Sequence, residues 1–137
     1  MFASIALAVP ILLMQTAPAD LSLDLVEGWR FRPDSDNVGL EKGWYLTEYD
    51  DGEWGTLAAG RRWEEQGFPD LDGHAWYRLR VDVPESWRGT RVWFAVGAVN
   101  DACEIWCNGR PVGAFGDESE HSMSDTAVVA QLSDHVI

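Results

Sequence analysis

The clearest alternation of apolar and polar residues lies between positions 102 and 108. One face of this stretch carries small apolar side chains and the other a mixed set, the period of two that a half-buried strand shows. The apolar set is Cys103, Ile105 and Cys107. Asn108-Gly109 follows, the pair that a two-residue hairpin turn with positive φ prefers, and Pro111-Val112-Gly113 opens a return strand. The pattern predicts a β-hairpin.

A second alternating stretch precedes the hairpin. Between residues 91 and 99 apolar residues recur with a period of two on one face, and Asn100-Asp101 offers a turn toward residue 102. These positions are Val92, Phe94, Val96 and Ala98. The stretch and the hairpin together predict a three-stranded antiparallel meander.

Shorter patterns of the same period predict strands elsewhere. Leu21, Leu23 and Leu25 alternate with polar residues, and Trp29 and Phe31 share a face. A strand predicted over 76–83 places Tyr77, Leu79, Val81 and Val83 inward and Trp76, Arg78, Arg80 and Asp82 outward. Over 126–132 a strand is preferred to a short helix. Long loops at 33–43 and 61–73, with no helix longer than two turns, make the predicted fold class all-β, an antiparallel β-sandwich.

Composition limits the partners that the chain can have. With 10 basic and 23 acidic residues, the 137-residue chain carries a formal net charge of −13. Such a surface repels phosphate backbones and anionic lipid headgroups, so we expect no nucleic acid and no membrane as partner. The hydrophobic fraction of 46% is ordinary for one globular domain, whereas eight tryptophans are many.

The N-terminus has the features of an export signal. Residues 5–14 form an apolar run that is too short to span a bilayer, and Ala17-Pro18-Ala19 has the form of a small-x-small cleavage site. No Lys or Arg precedes the run. A buried first strand is the alternative, but Pro10 in its middle disfavours it. We therefore predict a signal peptide over 1–19 and export to the periplasm or the extracellular space after cleavage near Ala19.

Two cysteines in an exported protein invite a disulfide, but their spacing argues against one. Cys103 and Cys107 are four residues apart on one predicted strand, hence about 13 Å between Cα atoms. A disulfide requires roughly 4.4–6.8 Å. We predict two free thiols that pack as small apolar side chains.

The sequence offers no catalytic apparatus and no metal or cofactor site. His74, His121 and His135 lack metal-ligand spacing, and no serine lies in a Gly-x-Ser-x-Gly elbow. Residues 34–39 resemble the start of a calcium-binding loop. However, its fifth position is Val38 and its twelfth is Tyr45 rather than Glu, so we predict a solvated turn.

Six short motifs follow one another in an order that resembles a known family. They are Trp29-Arg-Phe-Arg32, Asp50-Asp-Gly-Glu-Trp54, Trp63-Glu-Glu-Gln-Gly67, Gly73-His-Ala-Trp-Tyr-Arg78, Val83-Pro84, and Asn100-Asp101 through Asn108-Gly-Arg-Pro-Val-Gly113. In this order they resemble the N-terminal sugar-binding domain of glycoside hydrolase family 2 enzymes, the β-galactosidase and β-glucuronidase group. The resemblance spans about residues 21–136. One departure is Met123 to Thr126, where the family carries an aromatic residue.

The resemblance implies a jelly-roll, galactose-binding-like domain over 20–137 with a β-glycoside as ligand. In the family, the two catalytic glutamates belong to a separate (β/α)₈ barrel, a fold of about 250 residues. We therefore expect a non-catalytic carbohydrate-recognition domain of an exported glycoside hydrolase, with the barrel as its partner. Because the family pattern continues past the turn at 133–135, we also expect the domain to be truncated and to lack its last strand. Two alternatives stay open, the same domain from a sialate O-acetylesterase-type enzyme and a free-standing lectin-like module.

The resemblance also points to candidate sugar contacts. In the family, the loop equivalent to 61–73 leans toward the active-site mouth of the barrel, which makes Trp63, Glu65 and Gln66 candidates. Trp76 and Arg78 on the following strand join them, because sugar rings stack on indole and polar side chains bind hydroxyl groups. Interior packing is the more frequent role of large aromatic residues, and Arg78 could instead pair with Glu64 or Glu65.

Overall fold

The computed structural model describes residues 22–97, 99–100, 102–116, 123–124 and 128–132. Within these ranges the elements are β1 (Trp29–Pro33), β2 (Gly55–Leu57), the 3₁₀ helix η1 (Trp63–Gln66), β3 (Ala75–Arg78), the 3₁₀ helix η2 (Glu85–Trp87), β4 (Trp93–Val96), β5 (Val99–Asn100), β6 (Ala102–Cys107), β7 (Arg110–Gly116), β8 (Met123–Ser124) and β9 (Val128–Gln131). Every strand pairing is antiparallel. The predicted all-β antiparallel fold class is confirmed. No helix in these ranges has the length and hydropathy to cross a membrane.

A three-stranded sheet in the order β2-β1-β3 forms the centre of the described structure. Its aromatic face is built around Phe31, which is 1% exposed. The Phe31 ring centroid lies 4.9 Å from that of Tyr77, its partner on β3, and 5.0 Å from that of Phe68. Trp29 on the same face reaches Phe94 of β4 at 6.3 Å. These ring contacts join the central sheet to the β4-β9 pair.

The segment 34–54 covers the other face of β1 and β3. Trp44 and Trp54 in this segment are buried, and Trp44 lies 6.2 Å from Trp76, ring centroid to ring centroid. The Arg32 guanidinium stacks over the Trp44 ring at 4.8 Å. The outward assignment of Trp76 and Arg78 is therefore wrong, because their face is the one that this segment covers. Tyr77, predicted inward, is 36% exposed.

The predicted hairpin is confirmed. β6 pairs with β7 from Ala102↔Gly116 to Cys107↔Arg110, and the turn residues Asn108 and Gly109 have φ of 50° and 81°. A register shift between Ile105 and Trp106 marks an irregularity of the kind a β-bulge produces. Two positive φ values in succession are what a type I′ turn requires, so the Asn-Gly pair accounts for the hairpin.

Both cysteines on β6 are free and half-buried. Burial raises the pKa of the Cys103 and Cys107 thiols, which disfavours the thiolate and hence oxidation. The prediction of two unpaired thiols agrees with this arrangement.

The predicted three-stranded meander is wrong, because the strand before the hairpin does not pair with it. β4 pairs with β9, in the register Val96↔Val128 to Trp93↔Gln131, and not with β6. This pairing buries Val128 and Ala130 on β9, which confirms the strand predicted there. β5, two residues before β6, pairs with β8. Of the predicted meander, the hairpin β6-β7 therefore forms one pair, and β4 belongs to a different pair with β9.

Two predicted strands are shorter than expected or are not formed. β3 ends at Arg78 instead of Val83, and residues 22–25 form no strand. β3 is short because its partner β1 is short. Gly28, just before β1, has φ of +81° and takes the chain out of the extended conformation. Arg78 pairs with Arg30, so in this register Leu79 faces Trp29, the first residue of β1, and residues after Leu79 have no continuation of β1 to pair with.

Some predictions lie outside the described residues. These are the signal peptide over 1–19 with its cleavage site, Leu21, Ala98, Asp101, His121, the residues 125–127, and the turn at 133–135 with its His135.

Candidate functional site

The 3₁₀ helix η1 presents the predicted sugar loop beside the aromatic face of the central sheet. It ends at Gly67, whose φ of 106° lets its N–H donate to the Trp63 carbonyl and close the turn. The Trp63 ring lies 6.2 Å from that of Phe31, so the indole is half-buried against the core. Glu64 and Glu65 on the same turn are exposed.

Gln66 fixes this turn to the sheet. The N–H of Ala58 donates to Gln66 Oε1 at 2.9 Å, and Gln66 Nε2 donates back to the Ala58 carbonyl at 3.0 Å. Nε2 also lies 3.2 Å from the Arg61 carbonyl and 3.4 Å from that of Arg62. The amide thus pairs with the end of β2 as a backbone group would. In this structure Gln66 positions Trp63 and Glu65, and its amide is occupied.

Tyr77 extends the site from η1 onto β3. Burial raises the pKa of its phenol, and the negative charge of Glu64 raises it further. Like any protonated phenol, it can donate a hydrogen bond at neutral pH. We call Trp63, Glu64, Glu65 and Tyr77 the η1 surface. It combines a half-buried indole, a phenol and two exposed carboxylates, which are groups that can stack on a sugar ring and bind its hydroxyls.

Trp76 lies on the opposite face of β3 from the η1 surface. Its indole Nε1 donates to Asp34 Oδ2 at 2.9 Å. The same carboxylate accepts the N–H groups of Val38 and Gly39, each at 2.8 Å. Burial on its own raises the pKa of Asp34, but these three hydrogen bonds and the charge of His74 lower it more, so the net pKa is lowered. The predicted turn exists, but its aspartate is buried rather than solvated.

Arg78 also belongs to this covered face, in an ion pair that sequence reasoning missed. Its Nε lies 2.8 Å from Asp51 Oδ2, and its other nitrogens donate to the Trp44 carbonyl and, at 3.5 Å, to the Tyr49 carbonyl. The side chains of Arg78 and Asp51 are 12% and 7% exposed. The alternative of a pairing with Glu64 or Glu65 is therefore wrong, because those residues lie on the other face of the sheet.

Asp51 binds two more arginines. Arg80 Nη1 lies 3.2 Å from both carboxylate oxygens, and Arg30 Nε lies 4.0 Å from Oδ1. We call Asp51 together with Arg30, Arg78 and Arg80 the arginine cluster. Burial alone raises the pKa of Asp51, but hydrogen bonds and charge from Arg78 and Arg80 lower it below its usual range.

The five sequence-predicted site residues thus divide between two faces. Trp63, Glu65 and Gln66 lie at η1, whereas Trp76 and Arg78 are held by Asp34 and Asp51 on the other side. Both buried carboxylates have lowered pKa values, the opposite of what a general acid in glycoside hydrolysis needs. Within the described ranges, no three His, Cys, Asp or Glu side chains are grouped to hold a metal ion.

Comparison with known proteins finds similarity to β-glucuronidases. No family model matches the chain. Over 93 residues, 66% of this chain, it is 30% identical to a β-glucuronidase of Paenibacillus borealis, of which the match covers 16%. The crystal structure of a Bacteroides uniformis β-glucuronidase superposes with a TM-score of 0.65 and 18% identity, over 82% of this chain and 12% of that one.

A Ruminococcus gnavus β-glucuronidase, solved in complex with D-glucuronic acid, superposes with a TM-score of 0.60 and 18% identity, over 78% of this chain and 18% of that one. The chain thus spans less than a fifth of the proteins that it matches. The structural matches establish that it shares the antiparallel β-sandwich fold of part of these β-glucuronidases.

Proposed function

We propose that this chain is a carbohydrate-recognition domain of a glycoside hydrolase that acts on β-glucuronides, and that it contributes no catalytic residue. The sequence similarity to the Paenibacillus borealis β-glucuronidase carries this proposal. A chain that spans 16% of that protein leaves room there for the barrel on which family 2 enzymes carry their catalytic glutamates. Export through the N-terminal signal peptide completes the proposal.

The η1 surface is the proposed sugar contact. The Trp63 ring packs against Phe31, and the Gln66 hydrogen bonds fix the 3₁₀ turn that carries Trp63, so its indole is pre-organised. The exposed carboxylates of Glu64 and Glu65 stand beside it as hydrogen-bond acceptors. Trp76 and Arg78 have structural roles in this proposal, because their polar atoms are bound by Asp34 and Asp51.

Titration with p-nitrophenyl β-D-glucuronide tests the proposal. We expect saturable binding without release of nitrophenol, since the chain supplies a contact surface and no acid–base pair. Trp63→Ala should weaken binding about tenfold, the equivalent of about 1.4 kcal/mol for a lost stacking contact. Isothermal titration calorimetry measures the affinity, and absorbance of free nitrophenolate measures turnover.

Trp93→Ala is the matched control for this substitution. Trp93 is 54% exposed on β4 and lies outside the η1 surface, so its removal deletes a surface indole and should leave affinity unchanged. Equal losses in the two variants, or no binding by the unaltered chain, would overturn the assignment of the η1 surface. Nitrophenol release that survives repurification and is abolished by a point substitution in this chain would overturn the non-catalytic role.

A further inference from the structure

The arginine cluster carries more positive charge than its single carboxylate neutralises. Three guanidinium groups lie within 4.0 Å of Asp51, so the cluster has two positive charges in excess. Within the described residues, no other carboxylate lies within ion-pair distance of Arg30 or Arg80. In a chain of net charge −13, this is a local region of opposite sign.

The three arginines differ in what they leave open to solvent. Arg78 is 12% exposed, and each of its three guanidinium nitrogens contacts Asp51 or a backbone carbonyl. Arg80 is 65% exposed, and its two Nη groups bond Asp51 and the carbonyls of Thr47 and Tyr49. Arg30 is 42% exposed, and its contacts are long, at 3.4 Å to the Trp54 carbonyl and 4.0 Å to Asp51. The spare donors of the cluster therefore belong to its two exposed members.

These two exposed guanidinium groups are close together. Both approach the same atom, Asp51 Oδ1, Arg80 at 3.2 Å and Arg30 at 4.0 Å. Arg30 pairs with Arg78 across the β1-β3 ladder, so Arg80, two residues on, approaches from the diagonal position. Asp51 is 7% exposed and lies beneath them. One external carboxylate can therefore reach both groups without displacing Asp51.

We propose that Arg30 and Arg80 form a binding site for a carboxylate and that a uronic acid supplies it. The planar guanidinium fork matches a carboxylate in geometry as well as charge, and Arg is suited to such contacts where Lys is not. The choice of a uronic acid rests on the proposed function, whereas the carboxylate site itself rests on the geometry of the cluster. The site is separate from the η1 surface, because it lies on the opposite face of the central sheet.

The test measures binding of three probes to the whole chain at constant ionic strength: sodium D-glucuronate, sodium acetate, and methyl β-D-glucopyranoside as the neutral sugar. We expect the two acids to bind saturably, and their affinities to fall when the titrations are repeated at a higher ionic strength. Arg30→Gln should weaken glucuronate binding at least about tenfold, about 1.4 kcal/mol for a lost charge-assisted contact. Arg30→Lys keeps the charge and loses the planar fork. Its affinity for glucuronate should lie between those of Arg30→Gln and the unaltered chain, which would show that the loss in Arg30→Gln is not due to unfolding.

Arg88→Gln is the matched control, because Arg88 has the same exposed fraction as Arg80, 65%, and pairs with Glu85 away from the cluster. It should bind glucuronate like the unaltered chain. Tighter binding of glucuronate than of acetate assigns the site to a uronic acid, and equal binding assigns it to a carboxylate alone, such as one from an acidic protein segment. Binding of neither acid, or equal binding of glucuronate by Arg30→Gln and the unaltered chain, overturns the site. Because p-nitrophenyl β-D-glucuronide carries the same carboxylate, the Trp63 test is repeated in the Arg30→Gln variant, where its outcome does not depend on the carboxylate site.

Discussion

Asp51→Asn is expected to lower the free energy of unfolding by about 3–5 kcal/mol, because removing one partner of a buried ion pair leaves the other charge uncompensated. The charge left behind is mainly that of Arg78, whose side chain is 12% exposed, whereas Arg30 and Arg80 can turn to solvent. Urea unfolding followed by tryptophan fluorescence measures the change, since Trp44 and Trp54 lie beside the cluster.

The control for this substitution is Glu85→Gln. Glu85 accepts two hydrogen bonds from Arg88, but both side chains are mostly exposed, so no measurable loss of stability is expected. Equal stability of Asp51→Asn and the unaltered chain would show that the arginine cluster does not hold the 34–54 segment on the sheet.

The same carboxylate predicts how the effect depends on pH. The pKa of Asp51 is lowered in the folded state, so its stabilisation is fully present above the unfolded value of about 3.9 and is lost as pH falls through the folded value. The stability difference between Asp51→Asn and the unaltered chain should therefore narrow below about pH 4. The pKa of Asp34 is also lowered, but Asp34 is present in both proteins, so its effect cancels in this difference.

Gly39→Ala is expected to destabilise the chain by about 1–3 kcal/mol or more, because the site has no room for a methyl group. A Cβ at this position would overlap the indole of Trp76 and would lie 2.8 Å from Asp34 Oδ2. The Trp76 indole and the Asp34 carboxylate can move apart only if the hydrogen bonds that Asp34 accepts from Trp76 and from the Gly39 N–H are broken. Thermal and urea unfolding measure the loss.

Gly97→Ala provides the comparison for the loss of a glycine as such. Among the described residues, no atom beyond the two chain neighbours lies within 4 Å of a Cβ built at Gly97, so a change near zero is expected there. If Gly39→Ala is as stable as Gly97→Ala, the close approach of the turn to Trp76 is contradicted.

Local chemistry determines the parts of the fold that could be predicted. The β6-β7 hairpin depends on a period of two and on a two-residue turn, and Asn108-Gly109 supplies the positive φ values that the turn needs. The strand at β9 was likewise visible in the alternation of Val128 and Ala130. Both features are encoded within a few residues of sequence.

Pairing between distant strands could not be predicted in this way. The alternation in β4 shows which side is buried but carries no information on its neighbour, and the true partner, β9, begins more than thirty residues later. β2 was missed for a related reason. Its three residues, Gly55 to Leu57, are too few to show a period, and its pairing with β1 defines it as a strand.

Periodicity also leaves open which face of a strand the rest of the chain covers. Along β3 it separates Tyr77 from Trp76 and Arg78, but the face with arginine is the one that the 34–54 segment buries. A signal for this was present. Arg30 and Arg32 on one strand and Arg78 and Arg80 on another share one face, and arginines on a covered face need a buried carboxylate. Asp51, in the Asp50-Asp-Gly-Glu-Trp54 motif, provides it.

The central claim is that the sugar contact lies at η1 and that Trp76 and Arg78 are structural. The most direct test follows the indole and backbone N–H signals of the ¹⁵N-labelled chain by NMR during titration with a thio-linked β-glucuronide. We predict shifts for the Trp63 indole and for the amides of residues 64–66, whereas the Trp76 indole, bound to Asp34, stays in place. Shifts at Trp76 and Arg78 with Trp63 unmoved, or no shift at any residue, would contradict the claim.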